Sequence, residues 1–503
     1  MKFDYIIVQA GGKGSRMDYL TRNKPKALVP VKNRPLLFHL FEKYPKKNFL
    51  IIADYKHEVL EKYLSAFAGK YSYEVIVATG HKGTCSGISD AVSKIPDDKA
   101  FMLIWSDLML SQDFTAESLT DDDYVALSGD FMCRWKYENS EFTEEPSETN
   151  GVAGMFIFQN KELLSDVPSD GEFVRWLSER NIKPAEITLH GTKEYGLLSV
   201  YQKLQPAKCR PFNQIEYRDG LIIKTGIDAK GRELAVRESA WYRKVQNLGF
   251  TGIPEIKEYD PLVMECIDGK NLYEYGNLSH DEKCRILAGI ISKLKKLHSY
   301  ESCPFDADSF HEAYIGKTFD RLKQIQELVP FANREYITVN GRKCRNIFYC
   351  REQLTELMNS FAPEKFVLLH GDCTFSNMLL RNETMSAVFI DPRGYFGKTE
   401  LYGDPAYDWA KLYYSIAGNY DMFNLKRFSL NITDDEATLN IESSGWEDTE
   451  EEFFRIIGDE VSERQIRLIH AIIWFSLTTY AWEDYDSICG AFYKGTLLLE
   501  NLL

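Results

Sequence analysis

Three polar residues punctuate the stretch 368–391: Asp372, Asn377 five residues later, and Asp391 at the end of the apolar run 387–390. An acid and an amide on one loop, followed by a strand ending in a second acid, form an arrangement suited to phosphoryl transfer. Asp372 would accept or orient the proton of an attacking hydroxyl, while the Asn377 oxygen and the Asp391 carboxylate would hold Mg2+ on the nucleotide phosphates. A second chemical stretch lies near the N-terminus. The apolar run 5–8 leads through Gln9 into Ala10-Gly11-Gly12-Lys13-Gly14-Ser15-Arg16, and Pro25-Lys26-Ala27-Leu28 follows. The glycines allow the backbone to wrap a phosphate and present N–H groups to it. From Lys13 to Arg34 there are seven basic residues against one acid, Asp18, in a chain of net charge −15. That local reversal of sign reads as a triphosphate pocket.

Such loops need scaffolds. A chain of 503 residues is too long for one hydrophobic core and calls for two to four domains. The acidic balance excludes a nucleic-acid partner, which would require a basic footprint. The ten cysteines show no CxxC spacing, so neither a zinc site nor a redox dithiol is signalled. No apolar run is long enough for membrane insertion. Free thiols and an N-terminus that reads as a strand rather than a leader place the expected compartment in the cytoplasm.

The N-terminal region, 1–205, alternates strands and helices. Strands are expected at 5–8, 49–52, 74–77 and 101–105, with helices at 35–44 and 57–67. The combination AGGKGSR followed by PKAL resembles the signature of the sugar-phosphate and alcohol-phosphate nucleotidyltransferases. Gln9 departs from that family, which carries an aliphatic residue or alanine there. The resemblance implies a Rossmann-like α/β domain with a mixed sheet, whose nucleotide lies on Ala10, Gly11, Gly12, Gly14 and Ser15. It implies that the second glycine-rich turn, 80–87, touches base and ribose through Gly83 and Thr84. It also makes Asp107, at the end of strand 101–105, a Mg2+ ligand, with Glu194 as a second ligand in place of the usual aspartate. The stretch 150–156, with Gly154, would line the acceptor pocket. Lys136 is a candidate phosphate contact or an ordinary surface lysine. In the implied reaction a phosphate monoester attacks the α-phosphorus of a nucleoside triphosphate and expels pyrophosphate, while Arg16 and Lys26 balance the developing charge.

The second region is read as a kinase N-lobe, 206–268, and a C-lobe, 269–503, with a junction at 205–211 rich in Gln, Pro and Lys. Segments 213–217 and 221–224 flank Asp219-Gly220 and read as a hairpin. Lys224 on its second strand and Glu238 on the helix expected at 237–245 match the lysine–glutamate pair that positions nucleotide phosphates in kinases. Residues 262–269, including Glu265, read as the hinge whose backbone meets adenine. HGDxxxxN, then ID, then GDPxxDxA over 370–412 resembles the aminoglycoside phosphotransferase and choline kinase family. That resemblance implies a two-lobed protein-kinase-like (α+β) fold and ATP as phosphoryl donor. Asp404 and Asp408 are expected to brace the loop. Residues 420–460 hold an acidic insert with two short β-like pieces, FSLNI and ATLNI, and read as a solvated excursion. Beyond them, Trp474, Trp482, Glu483 and Asp486 are either an aromatic–acidic cage for an ammonium group or core aromatics beside surface acids.

Together the two resemblances imply a bifunctional enzyme. One half would phosphorylate a small alcohol with ATP. The other would couple the phosphomonoester to a second nucleoside triphosphate, CTP favoured, giving a CDP-choline-like precursor for surface glycan or lipid decoration. A sugar 1-kinase joined to a sugar-1-phosphate nucleotidyltransferase is the alternative. A chain with one inactive domain serving as nucleotide sensor or scaffold is the alternative of another class.

Overall fold

The computed structural model describes residues 3–116, 119–120, 122–180, 182–204 and 213–503. The chain forms two compact units, Met1–Pro206 with Trp482–Asp486, and Ala207–Ala481 with Ser487–Leu503. The junction read from sequence at 205–211 lies outside the described residues. No helix among the described residues is long and apolar enough to cross a membrane.

The first unit is built on a nine-stranded mixed sheet. Its strands are β1 (Tyr5–Gln9), β2 (Asn48–Ala53), β3 (Ser72–Val77), β4 (Phe101–Trp105), β5 (Tyr124–Ser128), β6 (Lys136–Glu138), β7 (Glu141–Thr143), β8 (Gly151–Phe158) and β9 (Ala185–Leu189). Strands β3, β2, β1 and β4 run parallel in that order. The long β8 then pairs antiparallel with β4 on one side and with β5 and β6 on the other. Ile6, Ile7 and Val8 of β1 and Phe101 to Ile104 of β4 are fully buried. Such continuous apolar runs are what a strand covered on both faces requires. Helices α1 (Leu36–Lys43), α2 (His57–Phe67) and α3 (Ile88–Ser93) connect the parallel strands. The carboxyl ends of β1 and β4 therefore lie side by side, with Gln9 opposite Trp105. The glycine loop leaves one and Asp107 follows the other, at the edge where open α/β sheets bind ligands.

The second unit opens with a four-stranded antiparallel sheet of β10 (Asn213–Arg218), β11 (Leu221–Gly226), β12 (Ile256–Tyr259) and β13 (Leu262–Glu265), in the order β10-β11-β13-β12. Asp219 and Gly220 take positive φ (50° and 76°) at the expected hairpin turn. Helix α4 (Ala229–Asn247) packs against this sheet, its N-terminus capped by Asp228, which accepts from the Gly231 N–H at 2.6 Å. The rest of the unit is mostly helical. Helix α5 (His280–Tyr300) starts from a Ser279/Glu282 capping box and buries a stripe of Ile286, Leu287, Ile290, Ile291, Leu294 and Leu297, the spacing of a single helix face.

One expectation is corrected here. The 420–460 stretch is not a solvated excursion. Phe428–Ile432 and Glu436–Ile441 pair with each other, and the second joins the hairpin Tyr336–Val339/Arg342–Arg345 in a four-stranded sheet. Trp446 is buried with its ring 4.9 Å from that of Phe375. The acidic composition conceals enough apolar residues (Leu430, Ala437, Leu439, Trp446, Phe453) to fold this segment into the body of the unit.

Candidate active sites

In the first unit, Gly14 adopts the left-handed conformation (φ 64°), and a Cβ there would meet Lys26 and Thr21 at 3.1 and 3.2 Å. The loop thus folds back on the PKAL segment and draws the two halves of the sequence motif together. Lys26 Nζ binds the Asp107 carboxylate. Glu194 lies on a two-residue strand paired with Leu108–Met109, directly after Asp107, and the Tyr195 N–H donates to the Asp107 carbonyl at 2.9 Å. Burial raises the Glu194 pKa first, and the charge of Asp107 raises it further, while Lys26 and Arg16 oppose both. Arg16, Lys26, Asp107 and Glu194 therefore form one cluster.

The second loop is tied to the first. Gln9 Nε2 donates to the carbonyls of Thr84 (2.9 Å) and Ser86 (3.0 Å). The residue that departs from the family signature thus clamps the two glycine-rich loops together, and an aliphatic side chain could not do so. Thr84 Oγ1 accepts from the Phe173 N–H at 2.8 Å. At Gly83 (φ 93°), a Cβ would fall 2.2 Å from the Gly171 carbonyl oxygen. Gly83→Ala would add a left-handed penalty of about 1–2 kcal/mol to that collision. It is expected to lower the melting temperature and to weaken nucleotide binding, both measurable by thermal denaturation with and without nucleoside triphosphate. Gly154 (φ 85°) packs its backbone on the Trp105 ring, 2.9 Å from where a Cβ would sit. Lys136 pairs with its strand neighbour Glu138 at 2.5 Å.

Lys24, one of the seven basic residues read as a triphosphate pocket, is engaged elsewhere. It is 1% exposed and its ammonium pairs with Asp484 (2.9 Å) and Asp486 (2.5 Å). Asp486 also accepts from Asn23 at 2.9 Å. The Trp482 ring packs against Phe38 and Phe67, with centroids at 5.3 and 6.2 Å. Trp474 belongs to the second unit, fully buried, donating to His470 at 2.9 Å and packed on Tyr414 and Phe423. The cage expected from Trp474, Trp482, Glu483 and Asp486 is therefore not assembled. Trp474 is a core aromatic, and Asp486 is engaged by a buried lysine.

In the second unit, Lys224 on β11 reaches Glu238 on α4 at 2.7 Å and Asp391 at 2.5 Å. Burial opposes the Lys224 charge, yet the two carboxylates outweigh it and raise its pKa. Strand β14 (Lys365–Leu368) leads into the catalytic loop, which is followed by β15 (Met378–Arg381) and β16 (Ala387–Phe389). Gly371 takes φ 80°, and Asp391, just after β16, takes φ 54°, a conformation that Asp tolerates better than most residues. Asn377 Nδ2 donates to the main-chain oxygen and to Oδ2 of Asp372, both at 2.9 Å. Asp372 Oδ1 pairs with Lys411 at 2.9 Å. Asp408, fully buried on helix α6 (Pro405–Ile416), accepts from the N–H groups of His370 (2.9 Å) and Gly371 (2.7 Å) and pairs with His298. Asp404 caps that helix by accepting from the Ala406 N–H at 3.0 Å. Asp408 therefore braces the loop directly, while Asp404 holds the start of the helix that carries it and accepts from the Tyr314 hydroxyl at 2.8 Å. The Glu265 side chain is held by Arg381 in a two-point pair (2.6 and 2.8 Å), which confines any role in nucleotide binding to its backbone.

Asp421, outside every sequence motif, accepts from the Ser376 N–H at 2.9 Å. Burial pushes its carboxyl up to about 6, against hydrogen bonds that pull it down. A carboxyl whose folded pKa exceeds its unfolded value contributes stability that is full below about 3.8 and is lost as pH rises through about 6. The stability advantage of Asp421→Asn over the unsubstituted chain is expected to grow between pH 4 and 6 and level off above, by about 1–3 kcal/mol. Denaturant titrations across that range would show it.

Magnesium fits both places as an oxygen-ligated ion. Asp107 and Glu194 are neighbouring carboxylates whose mutual repulsion a dication would relieve. In the second unit the two acceptors take up the Asn377 Nδ2 group and so turn Oδ1 away from Asp372. Asp391 is the second donor. Among the described residues no cluster of three or more His, Cys, Asp or Glu is set to hold a metal. Two protein oxygens plus substrate phosphates are the usual Mg2+ arrangement.

Residues 6–128 match a family model described as the MobA-like NTP transferase domain, and residues 228–429 match one described as the phosphotransferase enzyme family. A 125-residue stretch, 24% of the chain, is 30% identical to 29% of the bifunctional protein GlmU of Methanococcus maripaludis. A stretch of 209 residues, 38% of the chain, is 26% identical to 57% of a mannose-1-phosphate guanylyltransferase of Mycobacterium tuberculosis. The solved CTP:phosphocholine cytidylyltransferase from Streptococcus pneumoniae is 17% identical over 40% of this chain and 97% of that chain, with a TM-score of 0.34. The chain thus spans less than a third of the curated relative it matches first. Both matched families are families of enzymes, and the chain joins a nucleotidyltransferase domain to a phosphotransferase domain.

Proposed function

We propose that this chain catalyses two consecutive steps. The second unit transfers the γ-phosphoryl group of ATP to the hydroxyl of a small acceptor. The first unit then joins the resulting phosphomonoester to a nucleoside triphosphate and releases pyrophosphate. The observation that carries the reading is the survival of both polar constellations in full: Arg16, Lys26, Asp107 and Glu194 in one unit, and Lys224, Glu238, Asp372, Asn377 and Asp391 in the other. An inactive sensor or scaffold would have no need to keep both.

Asp372 takes the acceptor proton. Lys224, positioned by Glu238, meets the α- and β-phosphates. In the first unit, backbone N–H groups around Gly11–Ser15 cradle the triphosphate, and Arg16 and Lys26 face the charge that grows on the α-phosphoryl oxygens. Mg2+, when bound, screens the phosphates at each place. The two units use separate nucleotides, ATP in one and a second triphosphate in the other.

The choline-like acceptor with CTP loses the support expected from the 474–486 residues, because Trp474 is core and Asp486 is paired to Lys24. A sugar kinase joined to a sugar-1-phosphate nucleotidyltransferase has support of its own, since the mannose-1-phosphate guanylyltransferase relative acts on a sugar phosphate by name. The test crosses CTP, UTP, GTP and dTTP with phosphocholine, phosphoethanolamine, glycerol phosphate and hexose 1-phosphates, read by pyrophosphate release. Release only with hexose 1-phosphates would favour the sugar route. Release with none of these pairs would count against nucleotidyl transfer.

A further inference from the structure

Beside the catalytic aspartate, the second unit gathers positive charge that phosphoryl transfer from ATP does not by itself explain. Lys411 pairs with Asp372 at 2.9 Å. Arg393, two residues past Asp391, donates to the hydroxyls of Tyr407 (2.7 Å) and Tyr395 (3.0 Å). Lys317, on the helix Lys317–Ile325, lies 6.0 Å from the centroid of the Tyr407 ring. Arg321, one turn on, stacks at 4.3 Å on Tyr480 and donates to the Ser476 carbonyl. Lys317 and Arg393 share the Tyr407 ring as a wall, while Lys411 lies over Tyr414 at 5.2 Å. Lys317 makes no ion pair with any described acid. Burial first, then the charges of Arg393, Arg321 and Lys411, lower its pKa well below the ordinary lysine value, and Glu312 offsets this only in part. Lys317, Arg321, Arg393 and Lys411 are each partly rather than fully buried.

Resting on the kinase reading of this site, we propose that the acceptor alcohol carries an anionic group, a carboxylate or a phosphate, seated against Lys317 and Arg393 while its hydroxyl meets Asp372. An ammonium-bearing acceptor would place like charge against like. A neutral polyol would leave Lys317 with no counter-charge in a desolvated pocket, a costly arrangement. An anion restores the balance and turns the hydroxyl toward the base. The reaction balances simply: the acceptor oxygen bonds to the γ-phosphorus, the bond from that phosphorus to the bridging oxygen of ADP breaks, and the hydroxyl proton passes to Asp372. The product then carries two anionic groups.

The test uses the full chain with ATP and Mg2+ and measures ADP formation with D-glycerate, glycerol 3-phosphate, glycerol and choline. The expected result is a kcat/KM for at least one of the two anions at least about tenfold above glycerol and choline, the scale of one charge-assisted hydrogen bond. Comparing D-glycerate with glycerol 3-phosphate distinguishes a carboxylate from a phosphate requirement. Lys317→Gln should erase the preference by raising the acceptor KM while leaving the KM for ATP within about twofold. Lys317→Arg should retain the preference, which separates lost charge from lost fold. Equal or better turnover of glycerol or choline would overturn the proposal and leave the kinase reading standing. A Lys317→Gln enzyme whose ATP KM rises while the acceptor ratio stays fixed would overturn it too, since the lysine would then serve the nucleotide. ADP from none of the four, with ATP binding intact in a separate titration, would remove the small-acceptor kinase reading and this proposal with it.

Discussion

Asp372→Asn is expected to cut ATP-dependent phosphorylation by about 10²–10⁴-fold, the usual contribution of a general base. Pyrophosphate release from a supplied phosphomonoester and nucleoside triphosphate should continue at the rate of the unsubstituted chain. Asparagine is the informative replacement. It keeps the shape that Asn377 and Lys411 pack against, but it cannot take a proton. Both replacements remove the negative charge beside Lys411, only 13% exposed at its side chain, but asparagine keeps an amide oxygen that can accept from the ammonium, whereas alanine leaves it no acceptor there. A buried charge stripped of its partner costs about 3–5 kcal/mol. Alanine would therefore mix a folding defect with a chemical one. The readout is ADP formation and pyrophosphate formation from one enzyme preparation, with a melting curve as control. Phosphorylation that survives within tenfold would remove Asp372 from the role of base.

Asp107→Asn should produce the opposite pattern. Its carboxylate holds Lys26 and lies beside that of Glu194. Without that charge, Lys26 loses its anchor and the phosphates lose one oxygen donor. Electrostatic groups of this kind contribute several kcal/mol to the transition state, so nucleotidyl transfer should fall by about 10²–10³-fold or more. ADP formation should be unaffected. Asparagine there takes the anionic partner from Lys26, whose side chain is 12% exposed, while relieving Glu194 of its nearest like charge, so a melting curve beside the assay separates a folding loss from a chemical one. If either substitution silenced both reactions with its melting curve unchanged, two independently acting sites would be ruled out.

Much of the architecture was legible without coordinates. The parallel strands of the first unit stand at 5–9, 48–53, 72–77 and 101–105, each within a residue or two of its apolar run; the inner three are apolar along their length because both faces are covered, while 72–77 is a largely exposed edge strand. The Asp219-Gly220 hairpin and the Ser279/Glu282 capping box are likewise short-range, set by backbone conformations that few residues favour. The glycine-rich loop after β1, the loop after β14 and the acid after β16 were legible as candidates for the same reason. Each is a local segment whose residue types answer a local chemical need, and the pairing of Lys224 with Glu238 follows from a strand–helix succession.

What tertiary structure alone decided is which charged side chains are available for chemistry. Lys24 stands in sequence among the basic residues read as a triphosphate pocket, yet its partners Asp484 and Asp486 are 460 and 462 positions away, a separation at which no local pattern survives. Gln9, an oddity in one loop, became the clamp on another 75 residues on. An acidic stretch without a clear period supplied Trp446 and Asp421 to the catalytic loop, and aromatic helices that could have formed a cage were drawn into a core. Lys317, Arg393 and Lys411 come from three separate segments and meet only in the fold. Local periodicity and turn chemistry specify elements because backbone conformation is a short-range property. Charge neutralisation is a property of whatever the fold brings within a few ångströms, and it is this that set the basic residues around Asp372 apart from the ordinary lysines and arginines of the surface.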